Sequence, residues 1–520
     1  MIIAFTQKKE GLDISYVDEN NQIAVEEIIL DNGYYNYVEC DKFDPNVIPD
    51  FKSFKGSHIK KESSKYFTHH NINEFFCNDI PNLFGKQFEK FNKLAEPNPF
   101  SVDIETDITD EFGYSDQHRV ENSIRSIAIT DKNLQSILFI VKNPKHPVIN
   151  DLDMGYINSI IQESLKQHYS KYDFGTSVRI FDTEVEMLQV FIECINKHFH
   201  LIIGWNVLGY DWLYIYNRCE KLNIDIKKAS PTRRLSSEKI KINAATSIEV
   251  KIPTHRIITC YMNLFQKSLI YNNLGSYSLD NISEIVLGLN KVSYNGNLRT
   301  LYEEDYLRFV AYGFMDTILV MLIHKITNLL TVDFFQSFYT GIPYQSLSQN
   351  SISEALVYQE LRSENKFLLE SEKSNLPKRD YQGGYVKTKT KKIVESVIGE
   401  DFKALYPNAM IAMGLSPEAK IDEIKMSGEF ITNKDKKQIW FSTGFPLNEV
   451  ENKKWLKYKE LGYSLSPMGR IYDVSKDFLY TRIEKKLLEQ RGIFQGHMSD
   501  IYLHIIPKLK EELKKRKNNL

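Results

Sequence analysis

Four carboxylates in three short motifs have the clearest capacity for chemistry. Asp103-Ile104-Glu105-Thr106 lies in an apolar run. Side chains two apart on a strand share a face, so Asp103 and Glu105 converge. Two carboxylates on one face of an apolar strand repel each other unless a cation sits between them. Hard oxygen ligands suit Mg²⁺ or Mn²⁺. In the second motif, Gly204-Trp205-Asn206-Val207-Leu208-Gly209-Tyr210-Asp211, a short apolar strand ends in a turn and a helix opens near Asp211. Asn206 can orient a ligand or cap the turn. In the third, Tyr312-Gly313-Phe314-Met315-Asp316, positions i and i+4 share a helix face, so Tyr312 and Asp316 project together. Taken singly, each motif also has an ordinary structural reading: a solvated strand face for Asp103 and Glu105, a helix N-cap for Asp211, a salt-bridged side chain for Asp316.

The elements that must position these groups follow from hydrophobic periodicity. Residues 12–17 and 23–30 alternate as strands. Glu96-Pro97-Asn98-Pro99 is a natural boundary, because proline disfavours continued helix or central strand. Beyond it, residues 100–106, 124–130, 137–141 and 201–205 read as strands. Residues 184–198 read as a helix with Met187, Leu188, Phe191 and Ile195 on one face, and residues 211–219 as another. Residues 239–258 alternate like a hairpin, and residues 303–326 read as a long amphipathic helix. Strands alternating with helices imply an α/β layered domain to about residue 330. A helix over 346–361, a strand pair after Gly383-Gly384, and a lysine-rich helix from about 477 to the end complete the reading.

Bulk composition bounds the answer without choosing it. The chain has 520 residues, 42% hydrophobic and 26% charged, which fits a soluble globular protein of three or four domains. A net charge of −2 does not announce nucleic acid, so any such contact must rest on local patches such as residues 508–517 or Lys387, Lys389, Lys391 and Lys392. Either patch also reads as a solvated face. Five cysteines without a CxxC pair argue against structural zinc and a disulfide framework, and fit a reducing cytoplasm. The start has too short an apolar run for a signal peptide, and no stretch is expected to reach the length that spans a bilayer.

The three motifs, in this order and context, resemble the DIE, NxxxYD and YxxxD signatures of the DEDDy 3′→5′ exonucleases. Tyr210 stands where that family usually has Phe. The resemblance implies a ribonuclease-H-like domain with two Mg²⁺ or Mn²⁺ ions. Asp103 would bridge both ions, Glu105 and Asp316 would hold the first, Asp211 the second, and Tyr312 would position the attacking water. Two such ions neutralise a phosphodiester and serve the two oxygens of an in-line displacement. A phenol with an ordinary pKa near 10 suits an orienting role better than that of a base.

The likeness continues along the chain. Ser230-Pro231-Thr232-Arg233-Arg234 and Tyr277-Ser278-Leu279-Asp280-Asn281-Ile282-Ser283-Glu284 resemble segments of the family B DNA polymerases of large tailed bacteriophages. The expected hairpin sits where those enzymes carry one that helps part primer from template. Tyr381-Gln382-Gly383-Gly384-Tyr385-Val386 resembles their glycine-rich motif, in which backbone approaches template DNA; Gly383-Gly384 also reads as a simple turn. Asp401-Phe402-Lys403-Ala404-Leu405-Tyr406-Pro407-Asn408 resembles polymerase motif A, which implies metal and nucleotide binding by Asp401 and nucleotide binding by Leu405 and Tyr406. Ala404 and Asn408 replace the usual serines. Arg491 falls where a fingers helix carries an arginine that grips the triphosphate, and is otherwise a solvated helical arginine; Gln495 replaces a lysine one turn later.

Motifs B and C are not found. The resemblance therefore implies an α/β multi-domain protein comprising an N-terminal domain (1–97), the exonuclease domain (98–335), a return to the N-terminal domain (336–378), a partial palm (379–480) and a first fingers helix (481–520). Implied DNA contacts are Asn206, Tyr381, Gly383 and Gly384. Implied partners are primer–template DNA, single-stranded 3′ ends, a dNTP, a separate C-terminal polymerase polypeptide and a sliding clamp, in the cytoplasm of an infected host cell and with no membrane. The alternatives are a truncated reading frame, a free-standing exonuclease with a vestigial polymerase region, and a non-catalytic DNA-binding subunit.

Overall fold

A computed structural model describes the chain apart from residues 10, 31–32, 69–71, 74, 81–90, 92, 108–112, 114, 143–151, 170–173, 242–246, 269–270, 272–273, 370–395, 397, 433–437 and 509–520. Two compact units emerge: Met1–Asn36 with Glu62–Ala355, and Tyr37–Lys61 with Leu356–Leu520.

The first unit opens with an antiparallel meander of β1 (Ile2–Gln7), β2 (Gly11–Val17) and β3 (Ile23–Ile29). Leu12, Ile14 and Ile28 pack on Phe67, Phe75 and Phe76, whereas Met1, Ile3, Val17 and Ile23 join the core of the next layer. Two buried histidines fasten the meander to that layer. His200 Nδ1 accepts from the backbone N–H of Ile23 (2.9 Å), and the His255 ring lies 3.0 Å from both the Thr6 and Ser15 hydroxyls. Burial pulls both imidazoles down to about 4. They are neutral struts.

Next come β4 (Tyr34–Cys40), β5 (Val47–Ser53) and β6 (His58–Ser64), then the elements that carry the carboxylates. These are β7 (Pro99–Thr106), β8 (Ile124–Asp131), β9 (Gln135–Val141), α1 (Met154–Tyr169), β10 (Gly175–Phe181), α2 (Glu184–Lys197), β11 (Leu201–Gly204) and α3 (Asp211–Lys221). β12 (Leu235–Lys241) and β13 (Ser247–Pro253) pair as a separate hairpin. β14 (Ile257–Cys260) and the helices α4 (Tyr261–Lys267), α5 (Leu279–Leu287), α6 (Leu298–Glu304), α7 (Tyr306–Thr327), α8 (Leu329–Thr340) and α9 (Gln349–Ser363) complete the series. One six-stranded sheet, ordered β10-β9-β8-β7-β11-β14, organises them. β8 is antiparallel to β7 and β9, while β7, β11 and β14 run parallel.

Strand alternation sorts side chains into two cores. Val102, Ile104, Ile127, Ile129 and Ile202 face α2 and α3. Ala128, Leu138, Leu201 and Ile203 face α1 and α7. α2 begins in a reciprocal cap, in which Glu186 N donates to Thr183 Oγ1 and Thr183 N donates to the Glu186 carboxylate, satisfying two otherwise orphaned donors.

Four expectations change. Residues 239–258 are not one hairpin: Ile257 and Ile258 pair with Leu201 and Ile202 in the main sheet. The helix expected over 303–326 breaks at Asp305, whose carboxylate caps α7 by accepting from Arg308 N. α7 is buried on nearly every side rather than amphipathic. It is also long and apolar enough to cross a membrane, with 83% of its most apolar window buried in the protein. The expectation that no stretch reaches that length is therefore corrected: an apolar helix of this kind is also what a core enclosed on all sides demands. The five cysteines, all among the described residues, stand outside any disulfide.

In the second unit, β15 (Lys366–Phe367), β5 and β6 make a sheet with residues 37–40 of β4. The Arg362 guanidinium stacks 3.9 Å from the Phe367 ring centroid. α10 (Leu405–Met413) is followed by β16 (Lys420–Glu423), the hairpin β17 (Met426–Thr432) and β18 (Gln438–Pro446), α11 (Glu449–Glu460), β19 (Ser464–Leu465), β20 (Arg470–Tyr472) and α12 (Leu479–Asp500). Small cores form around Ala419, Tyr472 and Phe478, and around Ile424, Met426 and Ile471.

Candidate active site

On β7 the residues that alternate with Val102 and Ile104 are Ser101, Asp103 and Glu105, so both acids turn toward α7. Their cross-strand neighbours on β8 are Ala128 and Ser126, small residues that leave the face open. The register slips between Glu105 and Thr106, and such a bulge re-aims the side chains beside it. α7 is pinned one residue past Asp316 by a buried hydroxyl chain: Thr317 Oγ1 lies 2.7 Å from Thr130 Oγ1, itself 2.7 Å from Ser136 Oγ. Tyr312 and Asp316 thus meet β7 from above.

Asp211 arrives from the other side. It is the first residue of α3, not its N-cap; Tyr210 occupies the cap without a side-chain bond. Asp211 Oδ1 instead accepts from the backbone N–H of Ile104 at 3.3 Å, between the two acids of β7. The turn before it is tight. Asn206 has φ +63°, and a Cβ on Gly204 would lie 2.6 Å from Val207 Cβ and 2.9 Å from Val102 O. Only glycine permits that approach of β11 to β7.

One oxygen from each of Asp103, Glu105 and Asp316 lies within 4.8 Å of the others. Glu105, Asp211 and Asp316 are buried and Asp103 is half-buried. Burial holds Asp103 well above the usual carboxylate range, reinforced by the charges of Asp211, Asp316 and Glu105. It pushes Glu105 up to about 8, with Asp316 adding to the effect. It pushes Asp211 up to about 7 against backbone hydrogen bonds, and raises Asp316 against the pull of Lys291. Burial also raises the Tyr312 phenol, as does the Asp316 charge, so this hydroxyl stays protonated.

Lys291 escaped the sequence reading. Its ammonium donates to Asp316 Oδ2 (2.6 Å) and to the Tyr312 hydroxyl (3.1 Å), and lies 5.2 Å from the Tyr312 ring centroid. Burial alone would lower it, but the charges of Asp316, Tyr312 and Asp103 outweigh that and hold it above its ordinary value. The available signal was a lone lysine just past the C-cap of α5, close to Leu289 and Val292, which are both buried. One ammonium does not balance four carboxylates. Asp316 Oδ1, buried, has no hydrogen-bond partner. An oxygen-only donor set with surplus negative charge and an orphaned buried acceptor fits a hard divalent cation.

The other expected site residues lie elsewhere. Asn206 is on the exposed turn before Asp211. Asp401, Leu405, Tyr406 and Arg491 are exposed in the second unit. Among the described residues Asp401 joins no carboxylate cluster of the kind Asp103 forms. Tyr381, Gly383 and Gly384, with Lys387, Lys389, Lys391 and Lys392, lie outside the described residues, as does nearly all of the basic stretch 508–517.

Residues 49–282 match the family model for the exonuclease domain of DNA polymerase family B. This region is a family B polymerase exonuclease domain. Asp103, Glu105 and Asp211 fall inside the match; Lys291, Tyr312 and Asp316 lie beyond it and complete the cluster in space. The chain is 26% identical over 322 residues to the DNA-directed DNA polymerase of Escherichia phage RB69, and 25% identical over 322 residues to that of Enterobacteria phage T4. Each alignment covers 61% of this chain and 33% of the relative, so the match spans about a third of the phage proteins' length. A DNA polymerase of Pyrococcus horikoshii is 26% identical over 257 residues, 46% of this chain and 20% of the relative. The exonuclease domain thus belongs to a polymerase-related nuclease lineage with phage relatives.

Proposed function

We propose that this chain removes nucleotides from single-stranded DNA 3′ ends, 3′→5′, as the proofreading part of a phage-type family B DNA polymerase. One observation carries the reading: oxygens of Asp103, Glu105 and Asp316, from a strand and a distant helix, meet within 4.8 Å beside an unpartnered buried acceptor. The sheet order, with its three antiparallel strands β9-β8-β7 continued by parallel β11 and β14, supports a ribonuclease-H-like assignment. Asp103, Glu105 and Asp316 would hold one divalent cation, Mg²⁺ or Mn²⁺, and Asp103 with Asp211 a second. When bound, the cations supply charge neutralisation for the phosphodiester and acidify water.

The chain's own residues do the remainder. Tyr312 accepts a hydrogen bond from Lys291 and faces the Asp316 carboxylate, so its proton would turn from Asp316 to orient a water or a phosphate oxygen once a cation occupies that carboxylate. Lys291 brings a positive charge to the edge of the cluster, where a phosphate would lie. Asn206, exposed on the turn, would contact the DNA strand.

Synthesis belongs to the same proposal. Asp401 would serve as a metal ligand, with Leu405, Tyr406 and Arg491 around a dNTP. Residues 379–480 would form a partial palm and 481–520 a first fingers helix, after an N-terminal domain (1–97), the exonuclease domain (98–335) and a return segment (336–378). Tyr381, Gly383 and Gly384 would contact primer–template DNA. Extension would need the polymerase motifs B and C in addition to these residues, and a sliding clamp is a further candidate partner, in the cytoplasm of an infected cell.

The test is a 5′-labelled oligonucleotide incubated with the purified chain, Mg²⁺ and all four dNTPs, resolved by length. A ladder shortening from the 3′ end, lost in Asp103→Ala while DNA binding persists, is the expected result. Digestion that survives Asp103→Ala would remove the carboxylate cluster from the chemistry.

A further inference from the structure

Helix α3 does more than deliver Asp211. Four side chains on the stripe that continues from Asp211, at Tyr214, Asn217, Arg218 and Lys221, bind backbone carbonyls of the loop that returns from β7 to β8. The Tyr214 hydroxyl donates to Asn122 O (2.7 Å) and Asn217 Nδ2 to Gln117 O (2.7 Å). One Arg218 Nη donates to Val120 O (2.8 Å) and Glu121 O (3.3 Å), and Lys221 Nζ to Val120 O (3.2 Å). The rest of the Arg218 guanidinium forms a two-pronged pair with Glu184 of α2 at 2.9 and 2.8 Å. Glu184 in turn accepts from the backbone N–H of Ile124 (2.7 Å), where β8 starts.

The clamped loop is held in a conformation it would not choose alone. Val120, buried and β-branched, has φ +46°, a left-handed region that such a residue rarely adopts unless its surroundings hold it there. The loop's near end ties straight to the bulge beside Glu105. Asp107 N donates to Ser123 O (2.9 Å), Ser115 Oγ lies 2.6 Å from Thr106 Oγ1, and Asn122 Nδ2 donates to Ser115 Oγ (3.0 Å). One rigid helix therefore carries a carboxylate at its first residue and, along the same face, fixes the loop that ends the strand carrying two others.

The geometry points to α3 as a bracket, with Arg218 and Tyr214 as positioning residues that set Glu105 against Asp211 and so fix the spacing of the carboxylate set. This deepens the nuclease reading and rests on it. Neither residue touches the cluster. Each acts through the loop, in the way that outer hydrogen-bond partners orient metal ligands elsewhere.

The experiment compares the full-length chain with Arg218→Lys, which keeps the charge but loses the fork, and Tyr214→Phe, which removes one hydroxyl. Mn²⁺ binding is titrated by EPR without DNA. Rates on a single-stranded 3′ end are measured against both Mn²⁺ and DNA concentration, and thermal melts are recorded in parallel. Removing outer partners weakens metal affinity roughly 10–100-fold, so Mn²⁺ binding about tenfold weaker is expected for Arg218→Lys. Its rate should recover when Mn²⁺ is raised by the same factor, with KM for DNA unchanged. Tyr214→Phe should shift the same way, by less, and carries the comparison if Arg218→Lys fails to fold. Variants that melt earlier, yet bind Mn²⁺ and cut like the wild type well below their melting point, would overturn the bracket and leave the nuclease reading intact. A wild-type chain that binds Mn²⁺ no better than Asp103→Ala would overturn both.

Discussion

Replacing Lys291 with Met removes one charge from the carboxylate cluster and keeps most of the side chain's length. The ammonium lies 2.6 Å from Asp316 Oδ2. At that separation two unit charges attract by roughly 6 kcal/mol with the effective dielectric of about 20 that suits protein sites. Two effects reduce the loss. The Lys291 side chain keeps 28% of its surface, so solvent already screens the pair. Asp316, whose carboxyl is raised by burial, can also take up a proton rather than stand unpaired. The expected destabilisation of the metal-free protein near pH 8 is about 2–3 kcal/mol, at the low end for breaking a buried pair. A divalent cation should recover much of it, because ammonium and cation compete for the same carboxylate and only a ligand favouring the folded state stabilises it. The assay is urea unfolding in EDTA and in saturating Mg²⁺, in a Trp440→Phe/Trp455→Phe background so that Trp205 and Trp212 report on the first unit. If Lys291→Met loses the same stability with and without Mg²⁺, the two cations do not share Asp316 and the reasoning fails.

Two further outcomes follow from buried groups. In EDTA, the stability of the first unit should fall as pH rises from about 6.5 to 8. Glu105 and Asp211, held up to about 8 and 7, keep protons that the unfolded chain has lost, so their contribution is full below about pH 4 and disappears as pH rises through those values. His200 and His255, pulled down to about 4, act oppositely: their contribution is present above pH 6.5 and is lost as pH falls toward 4. Thermal melts across pH 4–9 check this; Glu105→Gln should flatten the alkaline limb, and a limb unchanged by it would show that other groups govern the slope. Gly204→Ala should cost about 1–3 kcal/mol by overpacking, since its Cβ would press on Val207 Cβ and Val102 O, and nuclease activity should fall with the displaced turn. Urea melts and the ladder assay read both effects, and an unperturbed variant would mean that β11 can shift freely.

What the sequence disclosed depends on how local each signal is. Asp103 and Glu105 were legible because a strand's period of two forces them onto one face, and Tyr312 with Asp316 because a helix does the same at four. Lys291 was not, because its partners lie 21 and 25 positions away and nothing in Leu289-Asn290-Lys291-Val292 says which way the lysine turns. The hairpin boundary failed for a related reason. Residues 239–258 read as one hairpin because Ser247–Pro253 alternates and more β-formers follow at Ile257 and Ile258, and tertiary pairing assigns Ser247–Pro253 to β12 and Ile257–Cys260 to β11. α7 misled in the other direction: an amphipathic stripe was expected, but a helix enclosed on nearly all sides has no polar face to show. The bracket of α3 left no pattern to read, since its partners are carbonyls, which every residue has.

The same physics that makes the site costly to fold makes it dependent on its ligand. β7 must alternate to belong to the sheet, and its inward face is covered by α7, so acids placed there are desolvated whether or not a cation is present. The metal-free domain can relieve that by protonating carboxyls or by drawing in Lys291: burial raises all four carboxyls, and the Lys291 ammonium sits on Asp316. Each relief is a form of cation binding, by protons or by one side chain, at positions a divalent ion would take. Protons and metal must therefore compete, so the cation concentration needed for half-maximal cutting should fall as pH rises from 6 to 8, by up to about tenfold per unit for each proton displaced. Half-saturating Mg²⁺ measured at pH 6, 7 and 8 on one single-stranded substrate tests this. A half-saturation constant independent of pH would mean that the acids are already ionised, and that Lys291 alone balances them.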